Sequence, residues 1–394
     1  MYRKTYVEVN LDNLSYNIKN IINTYNNYDY YIGVIKGNAY GHGSYIVNTL
    51  VKSGVNYIAV SSLEEVIDVR KWNKEIPILC LQPINLEFLD VCMENSVTLT
   101  INDYDYYKEL KSKNIKDKIK VHIKIDSGMS RLGFKDKNQV KEVYDNLNNN
   151  DNIILEGIYT HLATTGVYDK VWDNQIDSFK EITSLIDLTK IPIVHVGKSN
   201  TIVTHKKIPF ANGIRLGMIM YGFSQLPPKI NNKLRLLKRN YIAKKLKISE
   251  TIKDKEPDLK PTFSLYSNVI QISVIKPGDH VGYGITYTAA KATKIAVVEI
   301  GYSDGLSLKN TGRYVSINNN KYKIVGSINM GMITVEVDDT VKKGDKVTIL
   351  GNDISIKEVS NYIGTTSYQL ITSINPNVPR VYIKNGKTEK VVEN

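Results

Sequence analysis

The sequence predicts an α/β protein, an N-terminal (β/α)8 TIM-like barrel followed by a C-terminal mainly-β domain. Three observations predict it. Eight short apolar runs rich in β-branched residues are spread over residues 30–220, most of them separated by a segment of helical length. The separating segments place apolar residues at i, i+3 and i+4, as in Ser62-Leu63-Glu64-Glu65-Val66-Ile67-Asp68-Val69-Arg70. After Tyr221-Gly222 this alternation stops, and from Phe263 strand-like runs follow one another with Gly and Asn turns and little helix.

In order, the barrel runs are Tyr31 to Ile35, Tyr57 to Val60, Ile76 to Leu81, Val97 to Ile101, Val121 to Ile125, Ile153 to Tyr159, Ile193 to Val196 and Ile214 to Leu216. Eight strands alternating with helices fit a closed barrel better than an open sheet, and in that fold chemistry sits at the C-terminal ends of the strands. The β module follows with Val269 to Val274, Lys294 to Ile300, Val315 to Ile317, Lys323 to Ile328, Thr334 to Val337 and Lys346 to Leu350. Pro277-Gly278-Asp279 reads as a turn within it. The expected organisation is a barrel over 10–224, a basic connecting segment over 225–262 and a β domain over 263–394, with a strand in residues 1–9 as a candidate addition to the β domain. No internal repeat is evident.

Composition excludes several classes. The chain has 394 residues, 42% hydrophobic and 23% charged, which suits a globular protein with a large core and not a disordered one. No apolar run reaches the roughly 18 residues of a membrane span, and Met1-Tyr2-Arg3-Lys4-Thr5-Tyr6-Val7-Glu8 lacks the apolar core of a signal peptide, so a cytoplasmic protein without a membrane partner is expected. Cys80 and Cys92 lack zinc-type spacing and are too few for a disulfide framework, so they read as packing residues and no metal is expected. The net charge is +12, with a concentration of Lys and Arg free of Asp and Glu from Lys229 to Lys247. That stretch reads as a solvated face and no nucleic-acid partner is expected, since aromatic interleaving is limited to Tyr241; anion or nucleic-acid binding is the alternative.

Lys36 ends the first barrel run and is followed by Gly37-Asn38-Ala39-Tyr40-Gly41-His42-Gly43. A lysine at the mouth of an apolar strand can shed its charge by desolvation, as an amine must to form a Schiff base. The bland alternative is a snorkelling surface lysine. Val34-Ile35-Lys36-Gly37-Asn38-Ala39-Tyr40-Gly41-His42-Gly43 closely resembles the cofactor-lysine motif of the alanine racemases, the fold-type III pyridoxal-phosphate enzymes, with Gly37 where that family has alanine. The resemblance begins at Thr5-Tyr6-Val7-Glu8-Val9-Asn10-Leu11-Asp12 and runs over nearly the whole chain. It implies pyridoxal 5′-phosphate carried covalently on Lys36, which would also be one of two acid/base groups, with Tyr40 on the cofactor phosphate.

Further motifs carry the same resemblance. In His122-Ile123-Lys124-Ile125-Asp126-Ser127-Gly128-Met129-Ser130-Arg131-Leu132-Gly133, Arg131 would touch the cofactor phenolate and the substrate carboxylate. An arginine alone is more often a surface ion-pair residue, but its planar fork suits a carboxylate. Lys124 matches a lysine that is carbamylated in some members and would then position Arg131. In Glu156-Gly157-Ile158-Tyr159-Thr160-His161 the histidine reads by itself as a core imidazole, whereas the resemblance makes His161 the partner of a catalytic tyrosine. His195-Val196-Gly197-Lys198-Ser199 resembles a phosphate-contacting segment with Ser199 as donor, and Lys198, where the family usually has Asn, is expected to face solvent, with a charge contact to the phosphate as the alternative. In Gly213-Ile214-Arg215-Leu216-Gly217-Met218-Ile219-Met220-Tyr221-Gly222, Arg215 matches the residue facing the pyridine nitrogen. An arginine there cannot give up its proton, so the ring stays neutral. The amides of Gly217 and Met218 would complete the phosphate site.

In the β module, Val281-Gly282-Tyr283-Gly284-Ile285-Thr286-Tyr287 matches the family's catalytic tyrosine segment, making Tyr283 the second acid/base group, delivered from the other subunit of a homodimer toward His161. A phenol near its usual pKa of about 10 needs polar neighbours to act as a base. Glu299-Ile300-Gly301-Tyr302-Ser303-Asp304-Gly305 makes Tyr302 an entrance residue, and Gly364-Thr365-Thr366-Ser367-Tyr368 makes Tyr368 a phosphate or inner-gate residue. Ile324-Val325-Gly326-Ser327-Ile328-Asn329-Met330-Gly331-Met332 keeps Met330, which would approach the substrate carboxylate, but has Gly331 where Asp normally follows. Gly166, Leu308 and Ser327 stand where members commonly carry Asp, Arg and Arg, so the entrance layer is expected to be remodelled. The implied activity is interconversion of L- and D-alanine, a small amino-acid substrate, supplying D-alanine for cell-wall peptidoglycan. A serine or broad-specificity racemase is the alternative within enzymes. A barrel-only cofactor carrier is the alternative outside them, and the β module with Tyr283 argues against it.

Overall fold

The computed structural model describes residues 1–163, 169–224 and 256–393, together with residues 234, 237, 238, 241 and 245. Apart from those five positions, the basic stretch 229–247 lies outside the described residues, as does Gly166. The chain divides into two compact units, one of Ser15–Lys36 with Val47–Leu259, the other of Met1–Leu14, Gly37–Ile46 and Lys260–Asn394. Strands are numbered in chain order from β1 (Tyr6–Asn10).

The first unit is a closed barrel of eight parallel strands: β2 (Tyr30–Val34), β3 (Tyr57–Val60), β4 (Ile78–Cys80), β5 (Val97–Ile101), β6 (Ile119–Lys124), β7 (Ile153–Tyr159), β8 (Ile193–Lys198) and β9 (Gly213–Leu216). Each pairs with the next, and β9 returns to β2 with Arg215 opposite Ile32. Strands covered on both faces can be apolar throughout, which is why β3, β4, β5 and β9 are buried along their whole length. The helices between them are amphipathic. In Lys137–Asn148 the buried residues are Val140, Val143, Tyr144 and Leu147, one stripe at helical spacing. Side-chain caps start them: Ser62 accepts from the Glu65 amide, Asp103 from Tyr106 and Asp136 from Asn138 and Gln139.

The second unit is a nine-stranded sheet in the order β11-β14-β13-β12-β15-β10-β1-β16-β17, with β10 also pairing β11. These strands are β10 (Phe263–Ile275), β11 (Thr293–Val298), β12 (Tyr314–Ile317), β13 (Asn320–Val325), β14 (Ile333–Glu336), β15 (Lys346–Leu350), β16 (Arg380–Lys384) and β17 (Lys387–Val392). The pairing is antiparallel except between β1 and β16. Register shifts at Leu265/Tyr266 and Val269/Gln271 let the long β10 bend, so that its first part pairs β1 and β15 and its second part β11. The barrel and the mainly-β domain are the fold class read from the sequence.

Candidate active site

Lys36 lies two residues beyond β2, at the C-terminal rim of the barrel, where Ile35 is still tied to the Ala59 carbonyl. The side chain reaches solvent, yet its ammonium pKa is lowered, first by the protein packed around it and then by Arg131, with Glu65 opposing and Arg215 adding the smallest lowering.

Lys124 ends β6 and is only 5% exposed. Its Nζ lies 4.7 Å from the Tyr159 ring centroid, and its pKa is held well below the ordinary lysine value by burial and by Arg215 and Arg131. The Arg131 loop is shaped by a residue that the sequence reading passed over. The Asp126 carboxylate accepts the amides of Gly128 (3.1 Å), Met129 (2.9 Å), Ser130 (2.9 Å) and Arg131 (3.1 Å). Burial works against the Asp126 charge, but these amides and Lys135 outweigh it, so its pKa is lowered. The loop closes on itself through Asp126 N–H to Phe134 O and Phe134 N–H to Lys124 O. An added Cβ at Gly133 would lie 2.4 Å from the Asp126 nitrogen at φ +126°, so no other residue fits.

Arg215 on β9 is 3% exposed and spends its guanidinium on barrel groups. Nη1 is 2.8 Å from His195 Nδ1 and donates to His195 O (2.6 Å), while Nη2 donates to Thr160 O (2.6 Å) and Val196 O (3.0 Å). An arginine only donates, so His195 Nδ1 accepts and the imidazole proton sits on Nε2. That nitrogen is 2.9 Å from His122 Nδ1, which leaves the His122 proton on Nε2, 3.4 Å from Glu156 Oε2. Burial lowers the pKa of both histidines, so both are neutral links in a chain that ends at Glu156. Glu156 also accepts from Tyr57 and Lys120, each at 2.5 Å. Tyr159 stacks on His195 with centroids 4.6 Å apart. The alternation of His122 and Lys124 along β6 was the available signal for this polar interior.

His161 follows β7, and its pKa falls to about 2, chiefly through burial and then through Arg215, Lys198, Lys124 and Arg131. Lys198 does not face solvent as expected. Its Nζ donates to Leu162 O at 3.1 Å and its pKa is lowered by burial, because the end of β8 directs it over the top of β7. Ser199 and Gly217 come together, the Gly217 amide donating to Ser199 Oγ at 2.8 Å, with Met218 buried beside them in sequence. Lys36, Lys124, Arg131, Lys198 and Arg215 therefore gather at one rim, while the Asp126 carboxylate is consumed by backbone amides. This donor set fits a phosphate-bearing aldehyde and a carboxylate: fixed positive charge, an arginine unable to lose its proton, and an amine of lowered pKa.

The other predicted residues lie in the β-rich unit. Gly37, Asn38, Ala39 and Tyr40 all have φ between 51° and 64°, a single left-handed turn. Such a turn costs roughly 1–2 kcal/mol per non-glycine residue, so neighbours must hold it. Arg380 Nε donates to Gly41 O (3.1 Å), Tyr382 Oη to His42 O (2.9 Å), and His42 Nε2 meets Thr262 Oγ1 at 2.8 Å. Tyr283 is 79% exposed at the start of a short turn whose carbonyl accepts from Ser327 Oγ at 2.7 Å. Ser327, an expected entrance position, thus supports that turn. Tyr302 and Met330 sit on joined segments, Tyr302 N–H donating to Asn329 O and Ser303 Oγ to Met330 O, and both side chains are exposed. Tyr368 is exposed on the helix Ser367–Thr372, and Leu308 is exposed as well. The space beside Gly331 is open.

Residues 9–225 match the alanine racemase N-terminal domain and residues 262–382 the alanine racemase C-terminal domain. The chain belongs to the alanine racemase family. It is an isomerase of that family, an amino-acid racemase. Alanine racemase 1 of Bacillus subtilis (strain 168) is 31% identical over 397 residues, covering 99% of this chain and 96% of that protein. The crystal structure of alanine racemase from Bacillus anthracis with bound L-Ala-P superposes with a TM-score of 0.87 at 31% identity, covering 100% of this chain and 98% of that one. Alanine racemase of Clostridium difficile 630 gives a TM-score of 0.85 at 31% identity, covering 99% and 98%. A histidine racemase from Leuconostoc mesenteroides, 21% identical with a TM-score of 0.81, shares the fold. Among the described residues, no helix is long and apolar enough to cross a membrane and no cluster of His, Cys, Asp and Glu could hold a metal ion.

Proposed function

We propose that this chain interconverts L- and D-alanine with pyridoxal 5′-phosphate on Lys36, as a cytoplasmic homodimer with shared active sites that supplies D-alanine for peptidoglycan. The observation that carries the reading is the pairing, at one barrel rim, of a lysine of lowered pKa with an arginine locked as a donor by two carbonyls of β8 and one just beyond β7. The cofactor, when bound, supplies an electron sink that acidifies the amino-acid Cα–H, a weaker one opposite arginine than opposite aspartate.

The residues divide the remaining work. Arg131 holds the substrate carboxylate, its loop fixed by Asp126. Tyr283 Oη from a second copy removes the Cα proton on the L face, and Lys36 Nζ delivers a proton to the other face, the roles exchanging in the D-to-L direction. His161, uncharged, faces the phenol. Ser199, the amides of Gly217 and Met218, Tyr40 and Tyr368 form the phosphate site, and Tyr302 and Met330 line the approach. Lys124, desolvated among cations, gains a stable anionic form if carbamylated and then orients Arg131. The exposure of Tyr283, Ile285, Tyr302, Met330 and Met332 in the single chain supports a partner subunit covering them.

The open space at Gly331 and the exposed Leu308 favour, as a second reading, a racemase of serine or of several amino acids. Purified protein assayed with L-alanine, L-serine and L-lysine decides: a preference for alanine by orders of magnitude is expected, and comparable rates would replace it with the broader reading. A protein that stays colourless with added cofactor, or whose visible absorption survives borohydride and Lys36→Ala, would overturn the cofactor assignment.

A further inference from the structure

Three consecutive residues after β7 have backbone groups bound by side chains from elsewhere in the barrel unit. Gln175, in the helix Asp169–Ile182, is 2% exposed, and its amide uses both ends. Oε1 accepts from the Ala163 amide at 2.8 Å, and Nε2 donates to His161 O at 3.4 Å. Between them, Leu162 O accepts from Lys198 Nζ at 3.1 Å. The same glutamine packs on the Asp126 loop, where a Cβ on Gly128 would lie 3.3 Å from Gln175 Cγ. One buried amide therefore touches both the segment that carries His161 and the loop that carries Arg131. A buried glutamine costs free energy unless both its ends are bonded, so this geometry is specified.

We propose that Gln175 and Lys198 are positioning residues for His161, clamping backbone groups 161–163 from two sides, with Lys198 also placing a positive charge beside the imidazole. Lys198 is the chain's departure from the family's usual Asn, so the charged half of the clamp belongs to this chain. Burial chiefly, and then the charges of Arg215 on β9, Lys198 on β8, Lys124 on β6 and Arg131 in the following loop, lower the His161 pKa. An imidazole among them stays neutral, and removing one charge makes protonation easier. What His161 does in turnover rests on the racemase reading, but its placement does not.

The test uses full-length protein and two readouts. The first is the His161 ring signal in nitrogen-15 NMR at neutral pH, assigned with His161→Gln. The second is racemisation measured separately in each direction. Lys198→Met and Gln175→Ala are expected to move the His161 signal. Both should slow L-to-D turnover about tenfold with KM changed little, and Lys198→Arg, which can still reach Leu162 O, should restore both readouts. Should Gln175→Ala fail to fold, Gln175→Glu keeps the acceptor, loses the donor and takes its place. Unmoved His161 signals in folded variants would overturn the proposal, and so would equal slowing that follows only a lowered melting temperature. A wild-type chain that racemises nothing would sink the proposed function instead, while the NMR signal still decides the clamp.

Discussion

Arg215 Nη1 stands 2.8 Å from His195 Nδ1, and that single contact sets the proton positions of two buried histidines in succession. Because the guanidinium can only donate, the hydrogen bonds from Arg215 through His195 to His122 point the same way. Arg215→Lys keeps the charge but cannot span His195, Thr160 and Val196 together. A loss of about 3 kcal/mol in urea unfolding is expected, from buried carbonyls left without donors. A loss below about 1 kcal/mol would show that the network relaxes around the shorter cation.

Asp126→Asn tests the Arg131 loop. The new amide can still accept the three N–H groups on Oδ1, but it opposes a donor to the Arg131 amide, at a cost of about 1–3 kcal/mol. Steady-state kinetics should show a raised KM for the amino acid with a smaller change in kcat. An unchanged KM in a folded variant would mean that the loop holds Arg131 without this carboxylate.

Mixing Lys36→Ala chains with Tyr283→Phe chains tests shared sites. Each homodimer should be nearly inactive, and heterodimers should each regain one native site after subunit exchange. Complete absence of recovery in mixtures shown to exchange would rule against a tyrosine from the second copy.

Acid should unfold the protein earlier than its carboxylates alone would require. His42, fully buried, has its pKa lowered from 6.5 to about 4, mainly by burial, and His161 to about 2, while His122 and His195 shift the same way. The unfolded chain then binds more protons than the folded one below pH 6.5, so stability is lost as pH falls from there through the folded values. His42 alone accounts for about 3 kcal/mol by the low end of that window. Urea midpoints from pH 7 down to 4 check the slope, and a flat profile would refute neutral burial of these rings.

Sequence periodicity determined the architecture, because strand and helix repeats are local and eight alternations leave few closed topologies. The motifs likewise marked Lys36, Arg131, Arg215 and Tyr283 as the residues to examine. Only the tertiary structure decided what meets across strands. The chain from Arg215 to Glu156 depends on the registers of β6 to β9, including the shift that sets His122 opposite Gly157, where a Cβ would lie 2.5 Å from the imidazole. Lys198 turned inward and Gln175 became a clamp for the same reason. Side-chain direction at a strand end is set by neighbours far away in sequence, and no local pattern encodes which buried donor will find which carbonyl.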